Sequence, residues 1–468
     1  MTATAATPRA GTRPVAGDLR TLSVACVAML VSYLPFSGLN GILGRIAAQT
    51  GAATSDLQWL TSAFTVALAA SVLPAGVLAG RYGPRRLARA GIALTAAGAA
   101  AGWAVSLPGT LTGVRLLWLT QAVCGVGAGV VMSSTLALIS ATAADGYARA
   151  RRISWWSGAL VTGLGAGPFL AGPITDATAS AWFLGVVAVL AAGATATLRL
   201  AATVPGAATA RADVAGQVCA TVAVVGLIAA VIEGGSAGWT SPACLIGAAA
   251  AAAGAAAFAV VERHAEAPLL DPRLFRSGGF VGAGLAAMTV LFALVGLVFA
   301  LSLALSAAHV GTLGIALRLG VMFAANVAGS LAAARLQHRF GAGSVLVGGL
   351  VVLAAGAASL ATLGAATGLG QLTWRLLLLG AGSGVAMATS SAVAVQAVPA
   401  PQAAIAGAAN NALRQTGAAL GPAVIGAVIA ARAGGGPAAA GMPAAAIAVA
   451  ALLVLVTLAT AALLAGRR

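Results

Sequence analysis

The fold class this sequence predicts is an all-α integral membrane protein: fourteen spans, built as two six-helix bundles related as parallel repeats, with two extra helices between them. Three observations predict it. The chain is 60% hydrophobic and only 7% charged, with a mean hydropathy of +1.01, so it has too few polar side chains to cover a soluble globule. Fourteen apolar runs begin near residues 21, 57, 88, 113, 153, 181, 217, 241, 279, 312, 343, 373, 404 and 440, each ending at a polar, Gly/Pro or Arg-bearing break. A span needs roughly 20 apolar residues, and these runs supply that length. Finally, short signatures recur at one nearly constant displacement.

Residues 1–20 carry Pro8, Pro14, Arg9, Arg13, Arg20 and Asp18, with no apolar run before Thr21. They read as a cytoplasmic tail, not as a cleaved signal peptide. Residues 21–204 form the first six-span bundle, 205–276 the two additional spans and their loops, and 277–468 the second bundle with a short tail. All basic residues apart from three His are Arg. With the N-terminus inside, nineteen Arg fall on the inner side and Arg45, Arg115, Arg318, Arg375 and Arg432 on the outer side, while Arg414 sits near the inner end of the thirteenth span. The positive-inside rule then predicts a multi-pass protein of the cell membrane with both termini cytoplasmic. It also assigns the +16 charge to topology and not to a nucleic-acid partner. All eight Trp lie within a few residues of a predicted span end, as interfacial aromatics do.

The repeat sets the architecture. Gly163, Gly167-Pro168 and Gly172 return as Gly417, Gly421-Pro422 and Gly426, an offset of 254. Gly125-Val-Gly-Ala-Gly-Val-Val-Met132 returns as Gly380-Ala-Gly-Ser-Gly-Val-Ala-Met387, an offset of 255, and Arg81-Tyr82-Gly83 returns as Arg339-Phe340-Gly341, an offset of 258. Parallel repeats with a site between them are a transporter signature.

These residues resemble the major facilitator superfamily. Gly76-Val-Leu-Ala-Gly80-Arg81-Tyr-Gly83-Pro-Arg85-Arg86 is similar to its loop signature between the second and third spans, and Gly163 to Gly172 to its fifth-span antiporter signature. Asp56-Leu-Gln-Trp59, Gly238-Trp-Thr-Ser-Pro242, Pro268-Leu-Leu-Asp-Pro-Arg-Leu-Phe275 and Asn411-Ala-Leu-Arg414-Gln-Thr-Gly417 resemble stretches of its fourteen-helix drug/proton antiporter branch. The resemblance implies a major-facilitator fold. It also implies export of small hydrophobic molecules, such as a drug, antibiotic or metabolite, by alternating access with proton antiport. Three positions depart from the family pattern: Pro35 stands where an acidic residue is usual, Gly80 where Asp is usual, and Gln121 where a buried Arg is usual. An uncoupled facilitator or exchanger of the same fold is therefore the alternative, and a transport-dead receptor or scaffold a further one.

Several residues follow as site candidates. Gly163, Gly167 and Ala171 form a smooth stripe where another backbone can approach, and Pro168 removes a backbone bond. With Gly172, Gly421 and Pro422 they are candidates for gating, the fifth span sliding against a span of the other half; close packing alone is the plainer reading. Gly76, Gly80, Arg81, Gly83, Arg85 and Arg86 form either a cytoplasmic latch, with Arg side chains on helix-end carbonyls, or simply topogenic charge. Ser37, Asn40, Gln121, Arg318, Asn326, Asn411, Arg414 and Gln415 are candidates to line a substrate cavity, or to glue helices. All nine acids fall in loops or near span ends, which leaves Glu233 and His309 as the proton-coupling candidates. Metal-ligand spacing is lacking, the four Cys read as small hydrophobes, and neither a nucleophile with a base nor a phosphate loop occurs. Neither cofactor nor enzymatic activity is expected.

Overall fold

In the computed structural model, residues 17–106, 114–144, 146–177, 181–206, 214–265, 274, 276–363, 369–398, 403–433 and 441–466 are described. Residues 1–16 of the N-terminal tail, the Pro268 to Phe275 stretch other than Leu274, and Asp145, Asp213, Glu266 and Asp271 lie outside them, while residues 17–20 of the tail already belong to the first helix. The helices are α1 (Gly17–Gly41), α2 (Leu43–Thr50), α3 (Thr54–Tyr82), α4 (Pro84–Val105), α5 (Val114–Ala141), α6 (Gly146–Ala177), α7 (Ala181–Thr197), α8 (Val214–Ala237), α9 (Pro242–His264), α10 (Gly278–Ala307), α11 (Thr312–Phe340), α12 (Ala342–Ser359), α13 (Leu369–Gln396), α14 (Ala403–Ala433) and α15 (Met442–Ala465). The fourteen apolar runs map in order onto α1 and α3–α15. The short α2 was not foreseen, because its eight residues, carrying Arg45 and Gln49, read as the polar break between the first two apolar runs.

Twelve of the helices are long and apolar enough to cross a membrane, or up to thirteen when the two parts of α3 count as one span. Those parts, Thr54–Val72 and Pro74–Tyr82, bend by 48° at Pro74, which lacks the N–H that would continue the helix. By contrast α4 is not among them: Arg85, Arg86 and Arg89 crowd its first turns, and Gly and Ala dominate the rest.

Packing follows the repeat. In the N-terminal half α1 contacts α5, α6 and α7, α5 contacts α3 and α4, and α4 contacts α7. The C-terminal half reproduces every pairing: α10 with α13, α14 and α15, α13 with α11 and α12, and α12 with α15. Glycines set these distances. Within helix α5, Gly125 and Gly129 abut backbone carbonyls of α3, at Phe64 and Leu68, while Gly127 abuts Gly91 and Thr95 of α4. The equivalent glycines of α13 do the same, Gly380 and Gly384 against Met322 and Asn326 of α11, Gly382 against Leu353 of α12. At the turns joining α3 to α4 and α11 to α12, Gly83 and Gly341 hold φ of 90° and 81°, a region that side chains other than glycine avoid. Each of these two residues ends one helix and starts the next, so matched backbone geometry explains why the Arg-aromatic-Gly signature recurs.

The halves meet along two equivalent seams, α6 against α11 and α14 against α3. Helix α8 lies over the second seam only. Its Ile228 and Ile232 pack with Val66 of α3 and with Ala419 and Ala423 of α14, and α9 packs on α8.

Candidate functional site

The site is the space between the halves. At the Arg-poor end it is sealed by hydrogen bonds across both seams. Along the α3–α14 seam, Gln58 Nε2 donates to Ala423 O at 3.3 Å and Ser62 Oγ to Ala419 O at 3.4 Å. On the α6–α11 seam, Thr312 Oγ1 donates to Asp176 Oδ1 at 2.8 Å, the same oxygen that Arg45 holds at 2.8 Å. Close packing completes the seal, with Gly172 against the Leu313 backbone, Gly165 against Phe323 and Gly426 against Gln58.

Midway along the helices lies a polar cluster contributed by both halves. Gln415 of α14 donates from Nε2 to Tyr33 OH of α1 at 3.1 Å and approaches Met132 Sδ of α5 at 3.5 Å. One turn earlier, Asn411 Nδ2 lies 3.9 Å from the same sulfur, and its Oδ1 accepts from Arg414 Nη2 at 2.7 Å. Asn411 and Gln415 are four residues apart and share a face, so one helix places three polar side chains at the boundary. Among the described residues, the hydrogen bonds joining the halves run from this level to the Arg-poor end, with none nearer the Arg-rich end. Beyond the cluster, toward the sealed end, a small, partly open gap is lined by Phe36, Ser37, Asn40, Leu164, Pro168, Leu294, Val295, Val298 and Phe323. Its wall is overwhelmingly apolar and comes from both halves.

The cavity candidates divide accordingly. Ser37 and Asn40 line this space, although both are already bonded. Ser37 Oγ donates to Gly163 O at 2.8 Å, and Asn40 reaches Phe36 O at 2.8 Å and accepts from Thr61 at 3.2 Å. Asn411, Arg414 and Gln415 form the cluster. Arg414 sits about 17 Å along α14, taking 1.5 Å per residue, well inside the helix and not near its end as expected. Asn326 is placed elsewhere: its Nδ2 donates to Ser383 Oγ at 2.8 Å, joining α11 to α13 within one half. Arg318 returns to Gly314 O of its own helix at 2.9 Å. Gln121 is buried, and its Nε2 has no partner among the described residues.

The glycine stripe of α6 corrects one expectation. Gly163 and Gly167 face α1 of their own half, where added Cβ atoms would meet the Leu30 carbonyl and the Ser37–Gly38 backbone, and Gly417 and Gly421 face Met288 and Phe292 of α10 in the same way. It is Gly172 and Gly426, at the far end of each motif, that face the other half. A glycine stripe dictates close approach without saying to which neighbour. Helix α6 also runs unbroken through Pro168 and Pro173.

In the loop signature, Arg81 lies over the Tyr82 ring at 5.4 Å, as Arg339 lies over Phe340 at 5.2 Å. Arg85 donates to Thr203 Oγ1 at 2.6 Å and to Arg199 O at 2.5 Å, a hydroxyl and a carbonyl just past the end of α7 in the same half. Gly76 and Gly80 face open space, and Arg86 is exposed. Of the proton-coupling candidates, Glu233 is half-buried near the end of α8, and His309 is exposed at the α10–α11 turn with a φ of 56°. Sequence reasoning missed Tyr33, Met132, Asp176 and Thr312. Tyr33 and Met132 look like ordinary core residues, and nothing in a linear pattern pairs Asp176 with Thr312 across 136 residues.

Comparison with known proteins agrees with this geometry. The family model described as Major Facilitator Superfamily matches residues 25–422. The chain is 30% identical over 416 residues to the methylenomycin A resistance protein of Bacillus subtilis (strain 168), covering 88% of this chain and 87% of that one. It is also 30% identical over 423 residues to the multidrug resistance protein Stp of Mycobacterium tuberculosis (strain CDC 1551 / Oshkosh), covering 88% and 76%. Among solved structures, the POT family transporter PepTSo superposes with a TM-score of 0.67 at 12% identity, covering 97% of this chain and 99% of that one. With twin halves, matched seams and a central space between them, the chain belongs to the Major Facilitator Superfamily and is a transporter related to drug- and antibiotic-resistance efflux proteins.

Proposed function

We propose that this chain exports small hydrophobic molecules across the cell membrane by alternating access, with fourteen spans, α4 included, and both termini cytoplasmic. One observation carries the reading: bonds between the halves cluster from mid-depth to the Arg-poor end, as in a conformation open toward the Arg-rich, cytoplasmic side. Residues 21–204 and 277–468 are the two rocking bodies, 205–276 an added pair, and 1–20 a cytoplasmic tail. Gly163, Gly167, Pro168, Gly421 and Pro422 hold the first and fifth spans of each half together, so that each body moves as a unit, while Gly172 packs across the seam onto the other half. Gly76 and Gly80 offer a smooth open face that takes a helix of the other half when the cytoplasmic end closes, with Arg81, Gly83, Arg85 and Arg86 bracing that corner. Ser37, Asn40, Asn411, Arg414 and Gln415 meet the substrate. Relatives named for methylenomycin A resistance and multidrug resistance support export of a drug-like compound, and the resemblance to antiporters supports proton exchange as the energy source.

A second reading, transport without proton coupling, is favoured by a specific observation. Pro35 stands on α1 in place of a carboxylate, and Glu233 and His309 lie outside the central cluster. Flux of lipophilic compounds in proteoliposomes, with and without an imposed pH gradient, separates the readings. Accumulation driven by the gradient establishes antiport, equal rates to equilibrium establish the uncoupled carrier, and no flux for any compound refutes both.

A further inference from the structure

The one formal charge in the central cluster is positive. Of the nine acids of the sequence, only Asp18, at the very start of α1, falls within α1, α5, α10 or α14, the helices that carry the cluster and pack around Arg414. Arg414 is half-buried and projects between the side of α14 that packs on α10, through Leu413 and Gly417, and the side that meets the other half through Asn411 and Gln415. Its described bond is to a neutral acceptor, Asn411 Oδ1 at 2.7 Å. A guanidinium held this deep without a carboxylate carries unmet attraction for an anion, and its planar fork suits a carboxylate held by two parallel bonds.

Two neighbours add to this. The Tyr33 hydroxyl already accepts from Gln415, and its own hydrogen faces Met132 Sδ at 3.8 Å; thioether sulfur is a weak acceptor, so this O–H is free to turn to a stronger one. Phe36, Leu294, Val298 and Phe323 wall the apolar space beyond, which lies about one turn past Tyr33 on α1. Polar contacts at one level and an apolar pocket at the next fit a molecule with an acidic head and a lipophilic body. Arg318 does not share this setting, being turned back onto its own helix.

We propose that the central site selects lipophilic organic anions, carboxylates above all, with Arg414 meeting the charge and Tyr33 donating a second bond. This rests on the exporter reading and narrows its substrate class. The test uses 2-naphthoate and its neutral isostere 2-naphthamide as probes on the full chain. Calorimetric binding to the purified protein is expected to favour the acid by at least tenfold. In Arg414→Gln that preference falls to within twofold, through loss of affinity for the acid, while Arg414→Lys retains part of it. Equal affinity of the two probes for the unsubstituted protein overturns the proposal, as does an absence of naphthoate binding, and neither result depends on a variant folding. Undiminished preference in a folded Arg414→Gln overturns it as well. Tyr33→Phe is expected to cost the acid several-fold and the amide less. Flux in proteoliposomes then separates the two levels. Selective binding of naphthoate without flux of any compound refutes the exporter and leaves the anion site standing; flux of neutral lipophiles with no preference for the acid does the reverse.

Discussion

Replacing Gly167 by Ala tests how closely the first and fifth spans are held. A Cβ at this position would stand 2.8 Å from the Ser37 carbonyl carbon and nearer still to Ser37 Oγ and Gly38 N, whereas ordinary contacts run from 3.4 to 4 Å. Two of the three neighbours are backbone, so no rotamer change relieves the overlap. Helix α1 must retreat by at least 0.6 Å, from 2.8 to 3.4 Å. Overpacking of this kind costs about 1–3 kcal/mol. The retreat also strains the Ser37 Oγ to Gly163 O bond, a net contribution of about 0.5–1.5 kcal/mol. Gly158, on the same helix, has no atom within 4 Å of its added Cβ; Ala there is expected to stabilise by up to about 1 kcal/mol through helix propensity alone. The two variants should therefore move in opposite directions in a thermal melt of the purified protein, followed by size-exclusion of the surviving fraction. Adding Ser37→Ala to Gly167→Ala should recover only part of the loss, since Gly38 N remains in the way. A Gly167→Ala protein as stable as Gly158→Ala would refute the close approach of α1 and α6.

Other positions give sharper contrasts. Gly421→Ala meets the Phe292 carbonyl and Gly296 N at 3.0 Å, whereas Gly426→Ala meets only the end of the flexible Gln58 side chain; melting should show a loss of about 1–3 kcal/mol for the first and a smaller one for the second. Gly83→Ala and Gly341→Ala each force a side chain into positive φ, at about 1–3 kcal/mol, and Gly83→Ala should be the worse because Val204 O lies 2.9 Å from its added Cβ. Asp176→Asn removes an exposed ion pair that contributes no more than about 1 kcal/mol to stability. Thr312→Val removes only the bond across the seam; thiol labelling at the Arg-poor end should rise in Thr312→Val with no change in melting, and unchanged labelling would argue against that bond as part of the seal.

Much of the fold was legible because a membrane simplifies the code. Lipid demands long apolar helices, so the fourteen runs located the helices to within a few residues, and the repeat of Gly125–Met132 at Gly380–Met387 assigned their partners. Contact direction was not legible. The α6 stripe reads identically whether it faces α1 or the other half, because glycine carries no side chain whose chemistry prefers one neighbour. Asn326 looks like a cavity amide until Ser383 is found 2.8 Å away. The seal at Asp176 and Thr312 joins two helix ends from different halves, and only three-dimensional packing brings those ends together. Arg414 was identifiable as an intramembrane charge, but the side chains around it, Asn411 on its own helix and, through Gln415, Tyr33 and Met132 of the other half, were not.

Helix α8 makes the two seams unequal as seen from the bilayer. It covers the α3–α14 side, while Phe169, Leu317 and Leu331 remain exposed on α6 and α11. A lipophilic molecule diffusing within the membrane thus meets a wall of added helices on one flank and a bare junction on the other. The attachment of α8 is also lopsided. Gln217 Nε2 donates to Ala70 O of α3 at 2.5 Å, whereas toward α14 it presents an apolar face and Gly235 against Ala427. The described hydrogen bond of α8 thus goes to the first half, while its apolar face rests on both, so that α8 is tied to one body and merely leans on the other.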